Sequence, residues 1–217
     1  MQAFKSWVDH LVVVARTREE GADYCERMLG VRAQGGGAHA LMGTHNRLLH
    51  LGGNTYLETI AVNPDAPPPG SKRWFGMDLP EVRERTRNGP WLATFVAATD
   101  DIEACVAAVP DLGVVHDLQR DNIRWRMAIR TDGAQPEFGG LPTLIQWPPG
   151  VHATNSMPDS GCHLLELEIR HPDPDALLAI HRRIGLGGET RLRVVRSAIA
   201  EAGLSAKIAT PHGERSL

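Results

Sequence analysis

His10 and Glu58 carry the side chains best suited to chemistry, and each lies within a run of strand-forming residues. In an alternating strand, His10 shares a face with Val12 and Val14, and Glu58 shares a face with Tyr56. An imidazole and a carboxylate that meet in a pocket suit one divalent metal ion such as Zn²⁺, Fe²⁺, Mn²⁺ or Ni²⁺. Without a metal they form a general acid/base pair, in which an apolar cup would raise the pKa of Glu58. The residues leave both alternatives open, together with a purely structural hydrogen bond.

A repeated pattern of elements positions these strands. Three segments of about 20 residues each show an apolar strand, a short acidic or Thr-containing turn, an amphipathic helix and then glycine. They span residues 10–30, 94–113 and 163–185, so that their starts lie roughly 70–85 residues apart. Solenoid repeats have shorter periods, of about 20–50 residues. The spacing therefore favours duplicated supersecondary modules within one protein.

The predicted helix starts have recognisable capping residues. Thr17 followed by Glu20 forms a capping box, and one of the two aspartates at 100–101 can cap the second helix. Asp173 followed by Pro174 places a cap directly before a proline at the first helical position. These signals support a helix in each of the three segments.

Three strand-like runs follow each of the first two helices, which predicts an α+β fold with two β-α-β-β-β modules. The runs are residues 34–42, 46–51 and 55–62, and then 114–120, 125–130 and 143–147. The proline-rich opening of residues 63–89 predicts a linker between the modules. A Rossmann-type parallel sheet is disfavoured, because the three glycines at 35–37 do not open a helix.

Three stretches carry a resemblance to a known family: WVDHLVVVA, GTHNRLLHLGGNTYLETIAV and RWRMAIRTDGAQPEFGGLPTLIQW. Their Asp-His, Gly-Thr-x-Asn, Tyr-Leu-Glu and Ile-Gln-Trp motifs resemble glyoxalase-like proteins of the vicinal-oxygen-chelate superfamily, which includes glyoxalases, bleomycin resistance proteins and dioxygenases. The resemblance covers residues 6–150 well. It implies tandem βαβββ modules that form curved mixed sheets around a small-molecule cup. Residues 1–153 would hold the paired modules, and residues 154–217 a partial third module packed on them.

The resemblance also implies that His10 and Glu58 face into the cup, as metal ligands or as a catalytic pair. In the second module, the position that matches His10 is Thr94, and the position nearest to Glu58 by pattern is Gln146. Threonine and glutamine are weaker ligands than histidine and a carboxylate, so the metal triad of the family is incomplete. A further ligand would have to come from elsewhere, and His50 is one candidate.

Two tryptophans, Trp125 and Trp147, are predicted to form part of the cup wall, with core packing as the alternative. Large aromatic surfaces with few polar groups are typical of small-molecule pockets. Together with Thr94, Gln146 and His50, they complete the set of predicted binding residues.

The composition narrows the classes of partner. The net charge is −3, which gives no electrostatic case for binding nucleic acid, and no apolar run reaches the length of a membrane span. The three cysteines are widely spaced without a CxxC pair, which predicts reduced thiols and a cytoplasmic protein. The sequence leaves a homodimer open.

The sequence is consistent with two functions. The first is an enzyme that acts on a small oxygenated metabolite, with metal-assisted lyase, isomerase or dioxygenase chemistry, or with Glu58 as a base. The second is a metal-free protein of the same fold that binds or sequesters a small molecule such as a drug. The incomplete ligand set in the second module favours the binding protein, and metal content would discriminate between the two.

Overall fold

Strands dominate the protein, with helices between them. The computed structural model describes residues 4–120 and 123–217. The strands are Ser6–Val14 (β1), Ala38–His39 (β2), Thr44–His50 (β3), Tyr56–Val62 (β4), Trp91–Thr99 (β5), Val114–Arg120 (β6), Ile123–Ile129 (β7), Thr143–Gln146 (β8), His163–His171 (β9), Leu192–Arg196 (β10), Gly203–Thr210 (β11) and Gly213–Ser216 (β12). The α-helices are Arg18–Leu29 (α1), Pro80–Arg87 (α2), Ile102–Ala108 (α3) and Pro174–Arg183 (α4).

The first eight strands form one curved mixed sheet in the order β2-β3-β4-β1-β5-β8-β7-β6. The two central strands, β1 and β5, run antiparallel to each other. Each is parallel to the last strand of its own module, β4 or β8. The two halves of the sheet therefore repeat one topology, and the prediction of tandem βαβββ modules is confirmed.

Local capping fixes where the helices begin. The Thr17 hydroxyl accepts a hydrogen bond from the backbone of Glu20, and Asp101 caps α3 by accepting from Ala104. Asp173 caps α4 in the same way, directly before Pro174. Within the described residues, none of the helices has the length and apolar character that crossing a bilayer requires.

The segment at 63–89, expected as a linker, contains helix α2. Its sequence, PEVRERTR, has a single apolar side chain, Val82, so it shows no apolar period that would predict a helix. Before this helix, Trp74 and Phe75 are buried, and Phe75 has a left-handed φ of 56°. The segment thus covers part of the cup.

The third unit begins like the first two modules but pairs its strands differently. Its order is β10-β9-β11-β12. The strand parallel to β9 is β10, the first strand after the helix, whereas β1 and β5 are parallel to β4 and β8, the last strands of their modules. Leu167 and Leu177 of this unit belong to one apolar cluster with Leu11 and Phe95 of the large sheet. Val12, the residue after Leu11 in β1, points to the other face of the sheet and belongs to a second cluster on the cup side. The third unit therefore packs on the sheet face opposite the cup.

Candidate active site

Strand β1 brings Asp9 and His10 together because it contains a β-bulge. Val8 pairs with Ala97 and His10 pairs with Val96, so Asp9 is an extra residue in the ladder. In a regular strand, adjacent side chains point to opposite faces. The bulge lets the carboxylate of Asp9 contact the ring of its own neighbour.

Asp9 is fully buried and accepts three hydrogen bonds. Its Oδ1 accepts from His10 Nδ1 at 2.6 Å, and its Oδ2 accepts from Trp147 Nε1 and His152 Nε2, each at 2.9 Å. Burial by itself raises the pKa of Asp9, but the hydrogen bonds from the two histidines outweigh it and lower the pKa. The backbone N–H of Thr154 donates to His152 Nδ1, which leaves the proton of that ring on Nε2, facing Asp9.

His10 lies between two carboxylates. Its Nε2 is 3.6 Å from Glu58 Oε2, close enough for an ion pair but too long for a hydrogen bond. Its ring stacks on Tyr56, with the ring centroids 4.4 Å apart. Burial lowers the pKa of His10, but Asp9 and Glu58 outweigh it and raise the pKa to about 9. At neutral pH, His10 is therefore a cation with its Nε2–H available to a ligand.

Glu58 is buried and ionised. Its Oε1 accepts a hydrogen bond from Asn46 Nδ2 at 2.6 Å, and its Oε2 faces His10. Burial raises the pKa of Glu58, but the charge of His10 and the Asn46 donor lower it below its usual range. The expected rise in this pKa is therefore wrong, because the cup supplies a cation and a donor as well as apolar walls.

The segment of residues 36–39 lies close to the backbone of β3 and holds Asn46 in place. Its Oδ1 accepts from the backbone of Gly37 at 2.8 Å, and its Nδ2 also lies 3.4 Å from His39 Nε2. Burial lowers the pKa of His39 to about 4, so this ring is neutral and can accept from Asn46. A Cβ at Gly36, where φ is +88°, would lie 2.2 Å from the Asn46 carbonyl. Glycine at position 36 therefore allows its backbone to lie this close to the backbone of Asn46.

The polar groups open into a small pocket with aromatic walls. The cavity has a volume of about 40 Å³ and is lined by Trp74, Phe75, Trp125 and Trp147 as well as by His10 and Glu58. The indole N–H of Trp74 is buried without a hydrogen-bond partner among residues 4–120 and 123–217. This is a donor that a ligand can use.

The structure brings four of the predicted site residues together and leaves three outside the pocket. His10, Glu58, Trp125 and Trp147 line one cavity. The others are Thr94, Gln146 and His50.

Those three residues have other partners and do not line the inner pocket. The Thr94 hydroxyl donates to the Gly139 carbonyl at 2.9 Å, on the side of the third unit. The Gln146 side chain accepts from the backbone N–H of Ile102 at 3.2 Å and so supports the start of α3. His50 binds a carbonyl in its own hairpin turn and borders a neighbouring groove.

The donor set does not match a divalent metal centre. His10 Nε2 and Glu58 converge, but a protein metal site needs at least a third donor. In the part of the chain that the structure describes, no group of three or more His, Cys, Asp or Glu side chains is placed to hold an ion. Both oxygens of Asp9 are already engaged, Oδ1 by His10 and Oδ2 by Trp147 and His152. The groups that the pocket offers for chemistry are therefore its own side chains.

Several site residues were not among those predicted, including Asp9, Asn46, Tyr56 and His152. The first three lie within the Asp-His, Gly-Thr-x-Asn and Tyr-Leu-Glu motifs, so the sequence did carry a signal for them. His152 lies beyond β8 and meets a residue 143 positions earlier, and no local pattern indicates that contact.

Comparison with known proteins agrees with this architecture. A sequence model of the glyoxalase-like domain matches residues 8–185. A search of curated proteins finds no match. A hypothetical protein from Staphylococcus aureus is similar in structure, with 14% identity, 89% of this chain and 87% of that chain covered, and a TM-score of 0.61. Methylmalonyl-CoA epimerase from Mycobacterium tuberculosis has 15% identity, 65% and 88% coverage, and a TM-score of 0.41.

The tandem βαβββ sheet and its concave pocket define a protein of the vicinal-oxygen-chelate class. Within that class, the match over residues 8–185 shows that the chain belongs to the glyoxalase-like domain family. At 14% identity, the structural likeness to the Staphylococcus aureus protein concerns the fold alone. One fold hosts many chemistries, so the function depends on the side chains of the site.

Proposed function

We propose that this protein is an isomerase-type enzyme that moves a proton next to the carbonyl group of a small oxygenated metabolite. The observation that carries the proposal is a buried carboxylate and a buried imidazolium 3.6 Å apart in one pocket. Proton transfer needs the base ionised and the acid protonated at the same pH. A lowered pKa for Glu58 and a pKa of about 9 for His10 supply both states at neutral pH.

Each step uses groups that the chain holds in place. Glu58 Oε2 takes a proton from the carbon next to the carbonyl, and the electron pair of the C–H bond moves to the carbonyl oxygen. His10 Nε2–H donates a hydrogen bond to the resulting enolate oxygen. Glu58, now a carboxylic acid, returns the proton on the same side to a second carbon over which the charge of the enolate is delocalised. The product is an isomer, and no co-reactant is consumed.

The surrounding residues orient this pair. Asp9 accepts from His10 Nδ1, which keeps the ring protonated and directs Nε2 toward the pocket. Asn46 binds Glu58 Oε1 and leaves Oε2 for the substrate. The aromatic walls limit water around the reacting atoms, which strengthens the electrostatic interactions there.

Solvent deuterium exchange tests the proposal without knowledge of the product. Purified protein would be incubated in D₂O with 2-oxo acids, 3-oxo acids and their thioesters, and the loss of C–H signals followed by NMR. We expect catalysed exchange with at least one compound, and a fall of about 10²–10⁴-fold in Glu58→Gln, the range for a general base. Exchange that persists in this variant would contradict the role of Glu58.

The alternative function is binding without chemistry. Trp74 stacks on Phe75 with centroids 5.5 Å apart, and Trp125 lies 5.7 Å from Trp147, so two aromatic pairs line the pocket. Such walls suit the sequestration of a small apolar molecule. Tight binding by the wild-type protein without any exchange would favour this alternative.

A further inference from the structure

The inner pocket adjoins a larger groove. The groove has a volume of about 520 Å³, against about 40 Å³ for the inner pocket. Leu48, Arg120, Ile123 and Ala153 line both cavities, and these four residues are referred to as the neck. The inner pocket has room for roughly two or three water-sized groups. A metabolite of ordinary size that reaches Glu58 must therefore extend through the neck.

Arg120 is the charged residue of this neck. It is half-buried, and among the residues that the structure describes its guanidinium has no ion pair or hydrogen bond. By contrast, Arg32 borders the same groove but pairs with Asp23 and Glu26. A Cβ at Gly37 would lie 3.0 Å from Arg120 Cδ, so the arginine stem packs on that backbone. The guanidinium is thus held at the neck without a direct ion pair to any of the residues that the structure describes.

The charges inside the pocket disfavour an anion there. Asp9 and Glu58 are ionised and His10 is protonated, which leaves a net charge of about −1 beside the reacting atoms. An anionic group of the substrate is repelled from that position and attracted to Arg120. The reacting carbonyl and the anionic group of the substrate must therefore be separate parts of the molecule.

We propose that the substrate is an anionic carbonyl compound whose carboxylate or phosphate pairs with Arg120 at the neck while its body lies in the outer groove. Arginine binds both anions through its planar fork of N–H donors. The identity of the reacting end rests on the function proposed above. The preference for an anion is a property of binding alone and can be measured without turnover.

Three probes test the preference by isothermal titration calorimetry: 4-oxo-4-phenylbutanoate, its methyl ester, and phenacyl phosphate. We expect the wild-type protein to bind at least one of the two anions about tenfold or more tightly than the neutral ester, as a charge-assisted hydrogen bond allows. The tighter of the two anions identifies the source of the charge. In Arg120→Met, the preference should disappear while the affinity for the ester stays within about twofold.

Two further variants test whether the lost preference in Arg120→Met comes from Arg120 itself rather than from a general change in charge or stability. Arg124→Met removes an exposed arginine of the neighbouring strand and should keep the full preference. Arg120→Lys keeps the charge without the fork and should keep a reduced preference, with unchanged thermal melting for all variants. Equal affinity for anions and ester in the wild type, no binding of either anion at millimolar concentration, or an intact preference in Arg120→Met would overturn the proposal. An anion preference without deuterium exchange would refute only the proposed reaction.

Discussion

The two βαβββ modules share one framework but divide the polar and apolar parts of the site between them. His10 pairs with Val96 across the centre of the sheet, and Val12 pairs with Thr94. This reciprocal register places His10 and Thr94 at matching positions. The first module has an imidazole there, and the second has a hydroxyl that binds the backbone of Gly139.

The same comparison extends through the other strands. Each central strand has one bulged residue, and the last strand of each module runs parallel to the central one in the same register. The matched pairs, with the first module first, are Asp9 and Ala93, His10 and Thr94, Asn46 and Met127, and Glu58 and Thr143. Thr143, rather than Gln146, is therefore the counterpart of Glu58.

Under the proposed function, this difference assigns proton transfer to the first module and ligand binding to the second. The first module keeps every member of the buried charge network except His152, and the second supplies apolar walls such as Trp125 and Met127. Duplication gives two equivalent sets of positions around one cup. Here one set carries acid/base groups and the other shapes the ligand, which suits side-chain catalysis better than a metal held between the modules.

The largest expected effect comes from the matched pair Glu58 and Thr143. Glu58→Gln should reduce deuterium exchange by about 10²–10⁴-fold while ligand binding persists, because the amide keeps the shape but not the basicity. Thr143→Val should change exchange by less than about threefold, since it removes no charged group. Equal losses in the two variants would contradict the division between the modules.

The second-largest effect concerns the stability contributed by Asp9, the bulged residue that pairs with His10. Asp9→Asn removes the counter-charge of a buried imidazolium, and breaking such a pair costs about 3–5 kcal/mol. We expect the free energy of unfolding in urea to fall by about 3 kcal/mol at neutral pH and the pKa of His10, followed by NMR, to fall as well. Asp132→Asn, which removes an exposed partner of Arg130, should cost less than about 1 kcal/mol. A loss for Asp9→Asn no larger than this control would show that the network contributes little.

A pH dependence of stability should follow from His10 alone. Its pKa is about 9 in the folded protein and 6.5 for the unperturbed side chain, so the folded state binds the proton more tightly. The stabilisation is fully present below about pH 6.5 and is lost as the pH rises through about 9. It amounts to roughly 3 kcal/mol. Denaturant titrations should show this decline in the wild type, and a curve of the same shape in His10→Gln would rule out His10 as its source.

The smallest effect belongs to the counterpart of His10. Thr94→Val removes one buried hydrogen bond to Gly139 and should lower the free energy of unfolding by about 1–2 kcal/mol. Deuterium exchange per folded molecule should be unchanged, because Thr94 does not line the pocket. A drop in exchange of more than about tenfold would show that the second module does contribute to the chemistry.

Features of the fold that depend on local sequence were predictable. The cap at Thr17 and the Asp173-Pro174 start are short-range hydrogen-bond and backbone effects, and both lie where the sequence indicates. The tandem modules followed from the spacing of the repeats. Helix α2 was missed because its single apolar residue gives no period.

The site was only partly predictable, because its geometry depends on contacts between distant segments. Strict alternation along β1 separates Asp9 from His10, and the bulge that unites them depends on the pairing with β5. The direction of the Glu58 pKa shift depends on Asn46 and His10, whose approach is set by the strand register. His152 reaches Asp9 through a turn without a recognisable motif.

The aromatic walls of the cup also give the protein an intrinsic optical reporter. Of its five tryptophans, Trp74, Trp125 and Trp147 line the pocket. The indole of Trp147 donates directly to Asp9, so its emission is coupled to the ionisation of the buried network. Occupancy of the cup and protonation of its charged centre should therefore both change the fluorescence spectrum without any added label.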